Sequence, residues 1–288
     1  MHKIKSVLLM ALLLASGFLW GESSSSPDGG DLKEYERIVV LSPGVVETLY
    51  LIGGESHIIA IAQSRGGIWP EEKTARLPSV GNVSQPSLET IISYKPDLVI
   101  LNGMNLSLGE NLESHGIEVY LHDASSIEDI LSGVETLGKF SGREEEAANL
   151  VREKRESLTQ LQEELKDHPL NLKGAFLFSA RPIMGFTGQT LPGELLSLLG
   201  VENIAGQLDM NQPILSAEYV VRENPDFLFC AMSITKAEDV TDNNPIIATT
   251  RAGQENNIAI IPSSLFLRPS PRIIDSLFKL REMLEEMG

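Results

Sequence analysis

The feature that most constrains this chain is a long amphipathic run in its middle, from about Gly142 to Asp167. Ala147, Leu150, Val151, Leu158, Leu161 and Leu165 recur at spacings of three, four and seven. That spacing sets them on one stripe of an α-helix, with Glu, Lys, Arg and Gln covering the rest. Roughly 25 residues at about 1.5 Å each span roughly 38 Å. Gly142 before the run and His168-Pro169 after it mark its ends. Such a helix either lies on the surface of one domain or joins two, and its flanks decide between these.

Both flanks alternate strands and helices. Ile38-Val39-Val40-Leu41 reads as a buried strand, and Ser42-Pro43 opens a helix that stops at Gly53-Gly54. Ile58 to Ala62 is a second strand, followed by a long loop from Gln63 to Pro86. Ser87 caps a helix ending at Lys95-Pro96, and Asp97 to Leu101 is a strand. Helix 106–114, strand Ile117 to Leu121 and helix 126–138 complete the first half. Beyond the long helix come strand Gly174 to Phe178, helices near 191–199 and 216–223, strands 226–230 and 258–261, and a terminal helix 271–286. This order implies two parallel-sheet lobes.

The halves also echo each other. The stretch from Ser87 through Glu89 to Leu98 matches Ser216 through Glu218 to Phe227 without gaps, Lys95-Pro96-Asp97 falling on Asn224-Pro225-Asp226. A second echo pairs Glu47 to Gly53 with Glu194 to Gly200. One match alone has little weight, because capped helix-to-strand units look alike; two in the same order, one on each side of the long helix, indicate a duplication. The expected fold is therefore α/β: two Rossmann-like lobes with parallel-type sheets, joined by one long α-helix, with a ligand cleft between the lobes at the carboxyl ends of the strands. The expected layout is an N-terminal lobe at 36–140, a linking helix at 141–168 and a C-terminal lobe at 169–288.

The first residues differ in kind. A basic lead (Lys3, Lys5), an apolar run from Val7 to Leu14 and small residues after it have the form of a secretory signal peptide over 1–21. The run is short for a membrane span, although an uncleaved anchor stays open. Residues 22–35, with Ser23 to Gly30 at their centre, read as a flexible tether. The chain is thus expected to be exported, to a periplasmic or other extracytoplasmic location. The formal charge is −17, and removing 1–21 takes away two lysines and no acid, moving it to about −19. So acidic a protein is a poor partner for nucleic acid. The lone Cys230, in an apolar strand-like run, has no intrachain partner and reads as a buried thiol.

Arg37-Ile38-Val39-Val40-Leu41-Ser42-Pro43 with Glu47, then Leu77-Pro78-Ser79-Val80-Gly81, Ser87-Leu88-Glu89 and Lys95 to Ile100, and later Arg268-Pro269-Ser270-Pro271-Arg272, form an ordered set. It resembles the iron-siderophore, haem and cobalamin periplasmic binding-protein family, and is most similar to the cobalamin-binding branch around Ser270-Pro271-Arg272. The likeness runs from about Arg37 to the end. It implies capture of a metal–organic chelate (cobalamin, ferric siderophore or haem) and its delivery to an ABC permease in the membrane; the chain is expected to be a monomer. It also implies that Glu89 and Glu218, each in the first turn of a capped helix, dock on permease arginines. The bland alternative for either glutamate is a favourable helix-dipole contact of about 0.3–1 kcal/mol.

Position in the loops at strand ends nominates Ser42, Pro43, Asn82 and Asn102 as ligand-binding residues. Trp69, Met184, Phe186 and Phe266 are expected to supply apolar area, and Arg65, Arg181 and Arg268 to meet anionic groups. Plain core packing competes for each aromatic, and Arg272 is expected to pair within the start of the terminal helix. The histidines are scattered, His122-Asp123 being the pairing near the expected cleft, so no metal site and no resident cofactor are expected. No G-x-S-x-G, Walker A or G-x-G-x-x-G motif is present, and Gly185-Phe186-Thr187-Gly188 reads as a turn able to meet an anion. The reading is a carrier rather than an enzyme; the alternative is an exported enzyme of the same architecture acting on a tetrapyrrole or chelate.

Overall fold

A computed structural model describes residues 33–288 apart from Gln207 and Asp209, so the expected signal peptide and most of the expected tether lie outside the described residues. The end of that tether differs from expectation. Tyr35 is buried with its ring edge-on to Phe140 at 5.2 Å, and its N–H donates to Phe140 O at 2.9 Å. The N-terminal lobe therefore takes hold of the chain before residue 36, because an aromatic side chain at position 35 has apolar area to bury.

The strands are β1 (Ile38–Val40), β2 (Ile58–Gln63), β3 (Ser79–Asn82), β4 (Gln85–Pro86), β5 (Leu98–Leu101) and β6 (Glu118–Leu121) in the first lobe. The second lobe holds β7 (Lys173–Ala180), β8 (Ile183–Gly185), β9 (Glu202–Asn203), β10 (Ile214–Leu215), β11 (Phe227–Cys230) and β12 (Ile258–Ile260). They make two separate sheets, ordered β4-β3-β2-β1-β5-β6 and β10-β8-β7-β11-β12, with β9 beside β7. β1, β2, β3, β5 and β6 run parallel, as do β7, β9, β11 and β12; β4 and β8 are antiparallel additions, and β10, paired antiparallel to β8, runs in the direction of β7. The central strands Ile38-Val39-Val40 and Phe227-Leu228-Phe229-Cys230 are fully buried, as continuous β-branched and aromatic runs covered on both faces must be.

The duplication seen in the sequence is physical. Ser87 Oγ accepts from Thr90 N at 3.2 Å, and Ser216 Oγ from Tyr219 N at 3.0 Å, so both echoed helices carry the same cap. Both stop at a left-handed residue before proline, Lys95 (φ 50°) and Asn224 (φ 47°). The echoed aspartates then fasten the first strand of their lobes. Asp97 accepts from the N–H groups of Glu36 (2.9 Å) and Arg37 (3.0 Å), and Asp226 from Lys173 N at 2.8 Å.

The linking helix runs Glu144–Asp167. Ala147, Val151, Leu161 and Leu165 are buried on its inner stripe, with Leu150 and Leu158 half-buried beside them. Lys154 lies on the same stripe and is buried as well, its Nζ 2.6 Å from Asp275 Oδ1. This helix packs on the last helix of each lobe, Ile127–Phe140 and Arg272–Met287. Arg155–Glu128 (2.7 Å) braces it to the first, and Lys154–Asp275 and Arg281–Glu164 to the second. Sequence periodicity does not reveal β3, β4, β8, β9 and β10, nor the short helices Glu71–Thr74, Glu238–Asn243, Arg251–Gln254 and Ser263–Phe266. These are two to four residues long, or six for the longest helix, too short to show a repeat.

Candidate functional site: the interlobe cleft

A cavity of about 780 Å³ lies between the lobes, within the size range of small-molecule sites. Its first wall comes from residues just past the carboxyl ends of β1, β2, β5 and β6: Ser42 to Gly44, Ser64, Asn102 to Met104, and Asp123. The second wall comes from Phe186 after β8, Gln212, Met232 after β11, and Ser263, Ser264 and Leu267 to Pro269 after β12. Parallel strands deliver their following loops to one end of a sheet, and here both sheets present that end to the same space.

The lining is neutral and polar with apolar patches. Ser42, Ser64, Gln212, Ser263 and Ser264 bring hydroxyl and amide groups, while Asn102 is occupied within its own lobe. Its Nδ2 donates to Leu41 O at 3.0 Å and its Oδ1 accepts from Met104 N at 2.9 Å. Met104 and Met232 are 67% and 61% exposed on opposite walls, large thioethers with no protein partner for most of their surface. Among the described residues, Asp123 and Arg268 are the formally charged side chains of the lining.

Arg268 is not a free cation. Its Nη1 lies 2.5 Å from Glu47 Oε1, and its Nη2 donates to Gly67 O at 2.8 Å. Glu47 is fully buried and is the one charged residue of helix Pro43–Leu51, and it also accepts from Ser270 Oγ (2.8 Å) and pairs with Arg272 (3.2 Å). Arg272 stacks on Trp69, its guanidinium carbon 4.9 Å from the ring centroid. One carboxylate of the first lobe thus collects two arginines and a serine of the second. A residue at Gly44 with a Cβ would meet Pro269 O at 2.2 Å, so the backbones of the two lobes touch here.

A second glutamate crosses in the other direction. Glu194, on helix Leu191–Leu198 of the second lobe, accepts from the backbone N–H of Ile127 at 2.8 Å, the first residue of the last helix of the first lobe. Burial pushes its carboxyl above the usual range and Asp129 adds to this, against the lowering effect of the Ile127 N–H. His122 is buried beside Gly133, and burial holds its imidazole below the ordinary value in spite of Asp123 and Asp129. Among the described residues no group of three or more His, Cys, Asp or Glu is placed to hold a metal ion. Cys230 is buried, and burial raises its thiol to about 12.

Of the residues nominated from sequence, the structure brings Ser42, Pro43, Asn102, Phe186 and Arg268 to the cavity wall. Arg65 lies on the same loop as Ser64 and Gly66, exposed and not in the lining. Trp69 sits with Arg272 and Glu47 at an adjoining recess of about 500 Å³, which shares Gly66, Ser264 and Arg268 with the cavity wall. Asn82 folds its side chain into its own turn, accepting from Ser84 N and Gln85 N. Arg181 is exposed at the β7–β8 turn, Met184 is half-buried opposite Ile214 in the β8–β10 pair, and Phe266 is buried in the second lobe. Arg272 pairs across the lobes, not within its own helix. The Gly185 to Gly188 turn is closed to an anion, for Thr187 is fully buried and its N–H donates to Asn211 O.

Sequence reading also passed over Glu47 as a site residue. The usable signal is a lone carboxylate inside a mostly apolar helix, which has to be paired if buried, in a chain with two closely spaced arginines near its end. Glu89 and Glu218, the first-turn residues of the echoed helices, are both exposed and make no ion pair among the described residues.

Residues 38–265 match the periplasmic binding protein family, and the chain belongs to it. It is 30% identical over 255 residues to a vitamin B12-binding protein of Photorhabdus laumondii, covering 88% of this chain and 89% of that one. It is 26% identical over 272 residues to an uncharacterized ABC transporter substrate-binding lipoprotein of Bacillus subtilis, covering 91% and 84%. In fold it is similar to the periplasmic haem-binding protein RhuT of Roseiflexus sp. RS-1, with a TM-score of 0.78 at 19% identity over 88% of this chain and 98% of the other.

Proposed function

We propose that this member of the periplasmic binding protein family is the extracytoplasmic substrate-binding component of an ABC importer, and that its cargo is a corrinoid. The observation that carries the cargo assignment is the charge of the cleft. Haem brings carboxylates that need cationic partners once out of water. Among the described residues of the lining, the arginine is already paired with Glu47, and the other formal charge, Asp123, repels an anion. A corrinoid rim of carboxamides needs neutral donors and acceptors, which Ser42, Ser64, Gln212, Ser263 and Ser264 offer. Met104, Met232 and Phe186 supply apolar area for the macrocycle. The relationship to a vitamin B12-binding protein and to an ABC substrate-binding lipoprotein supports the same reading.

In this reading the protein acts as a monomeric carrier with no resident cofactor: the metal arrives inside the cargo and leaves with it unchanged. Delivery uses the exposed Glu89 and Glu218, one on each lobe, as bidentate acceptors for permease arginines. Titration of the purified protein with cyanocobalamin, haem and a ferric hydroxamate, followed by visible absorbance, tests the cargo. Saturable binding of cyanocobalamin, with weaker haem binding and recovery of unaltered ligand, is expected. Haem or siderophore binding without cyanocobalamin binding overturns the cargo assignment, and chemical turnover of the bound ligand overturns the carrier role.

A further inference from the structure

The two glutamates that cross between the lobes occupy matching places. Glu47 and Glu194 are the first residues of the second sequence echo, each on the helix that ends at a positive-φ glycine, Gly53 (φ 73°) or Gly200 (φ 69°). Each fastens the start of the last helix of the opposite lobe. Glu47 holds Ser270 and Arg272 at the head of Arg272–Met287, and Glu194 holds Ile127 N at the head of Ile127–Phe140. Both of those last helices pack on the linking helix at the back of the molecule. The cavity lies between the two crossings: Pro43, Gly44, Arg268 and Pro269 line it beside Glu47, and Asp123 and Pro192 beside Glu194.

We infer that Glu47 and Glu194 are reciprocal positioning residues that together set the width of the cleft, Glu47 as the fixed pivot and Glu194 as the releasable latch. Their chemistry is unequal. Glu47 is fully buried and charge-paired to two arginines, an arrangement whose rupture leaves buried charges without partners. Glu194 makes one hydrogen bond to a neutral backbone amide, and its carboxylate is held against a desolvation cost. Movement of the lobes therefore opens the Glu194 side and turns about the Glu47 side. The charged and titratable groups facing Glu194 are Asp129 on the helix it caps and the positive end of that helix's dipole. The inference gives the mechanical basis of cargo capture in the carrier reading and rests on that reading for its role, not for its geometry.

The test places spin labels at the exposed positions Ser107 and Asp242, one on each lobe, in the full chain without ligand, and measures the distance distribution by double electron–electron resonance. Cys230 is buried and does not compete for label. Glu194→Ala is expected to broaden the distribution toward longer distances with an unchanged circular-dichroism spectrum, and to speed cyanocobalamin release by about tenfold. Glu194→Gln, which keeps an acceptor for Ile127 N, is expected to restore the parental distribution. Ser270→Ala, which removes one hydroxyl donor to Glu47 and leaves both arginines on it, is expected to leave it unchanged. A Glu194→Ala distribution superimposable on the parent, or a Glu194→Gln distribution as broad as the alanine variant, overturns the inference. Absence of cyanocobalamin binding by the parent protein overturns the cargo assignment instead, while the distance measurement still decides the latch.

Discussion

In the first lobe the strand that follows the Gly53 turn is β2, Ile58–Gln63, paired along β1; in the second, the strand that follows the Gly200 turn is β9, only Glu202–Asn203. The rest of that edge of β7 is taken by the antiparallel β8, which carries Phe186 to the cleft. The same contrast holds at the crossings, where Glu47 gathers two arginines and Glu194 one amide. Away from the cleft the lobes agree closely: the Ser87 and Ser216 caps, the Lys95 and Asn224 stops, and the Asp97 and Asp226 bonds to the first strand. A duplicated unit keeps what each copy needs to fold by itself and diverges where the copies face each other and the cargo.

The strongest way to break this comparison is to remove the crossings one at a time. Glu47→Ala is expected to lower the unfolding free energy by about 3–5 kcal/mol, because Arg268 and Arg272 lose their buried counter-ion. Glu194→Ala is expected to cost about 1 kcal/mol, the worth of one hydrogen bond. Urea denaturation measures both, and equal losses would mean that the two contacts do not differ in kind. The conserved part of the plan is sharpened by Ser87→Ala and Ser216→Ala. Each is expected to cost about 1 kcal/mol, and to cost the same, since each serine caps the same turn of the same unit.

Acid provides a smaller and signed test. The native Glu194 carboxyl holds its proton to higher pH than the unfolded one, so its contribution is fully present below the unfolded carboxylate range, about 4.3, and is lost as pH rises through the raised native value. The native His122 imidazole releases its proton at lower pH than the unfolded one, so the unfolded state binds more protons and stability falls as pH drops below about 6.5. Glu194→Gln is therefore expected to make stability rise more steeply from acid toward neutral pH, and His122→Gln to make it rise less steeply. Urea unfolding across that range reads both slopes against the parent's, and changes of the same sign in the two variants would contradict the burial argument. The smallest effect on stability is expected for Glu89→Ala with Glu218→Ala, within about 0.5 kcal/mol for exposed positions with no ion pair among the described residues. Cyanocobalamin affinity is expected to stay intact in that double variant while uptake in cells is lost; normal uptake would remove the proposed docking role.

The sequence by itself determined the elements with strong local periodicity: the linking helix, the buried parallel strands, the capped helices and the duplication. Those signals are written within a few residues of one another, in a run such as Ile38-Val39-Val40 or a cap such as Ser216. The short strands β3, β4, β8, β9 and β10 were hidden because their pairing partners, not their own residues, define them. The cleft wall was legible only as loops at strand ends, which put Ser42 and Phe186 in place but equally suggested Phe266 and Arg181. Tertiary structure alone decided that Arg268 is neutralised, for its partner Glu47 is distant in the chain and belongs to the other lobe. Charge neutralisation depends on distance in space, and distance in space between two lobes is fixed by how they pack, not by any local pattern of residues.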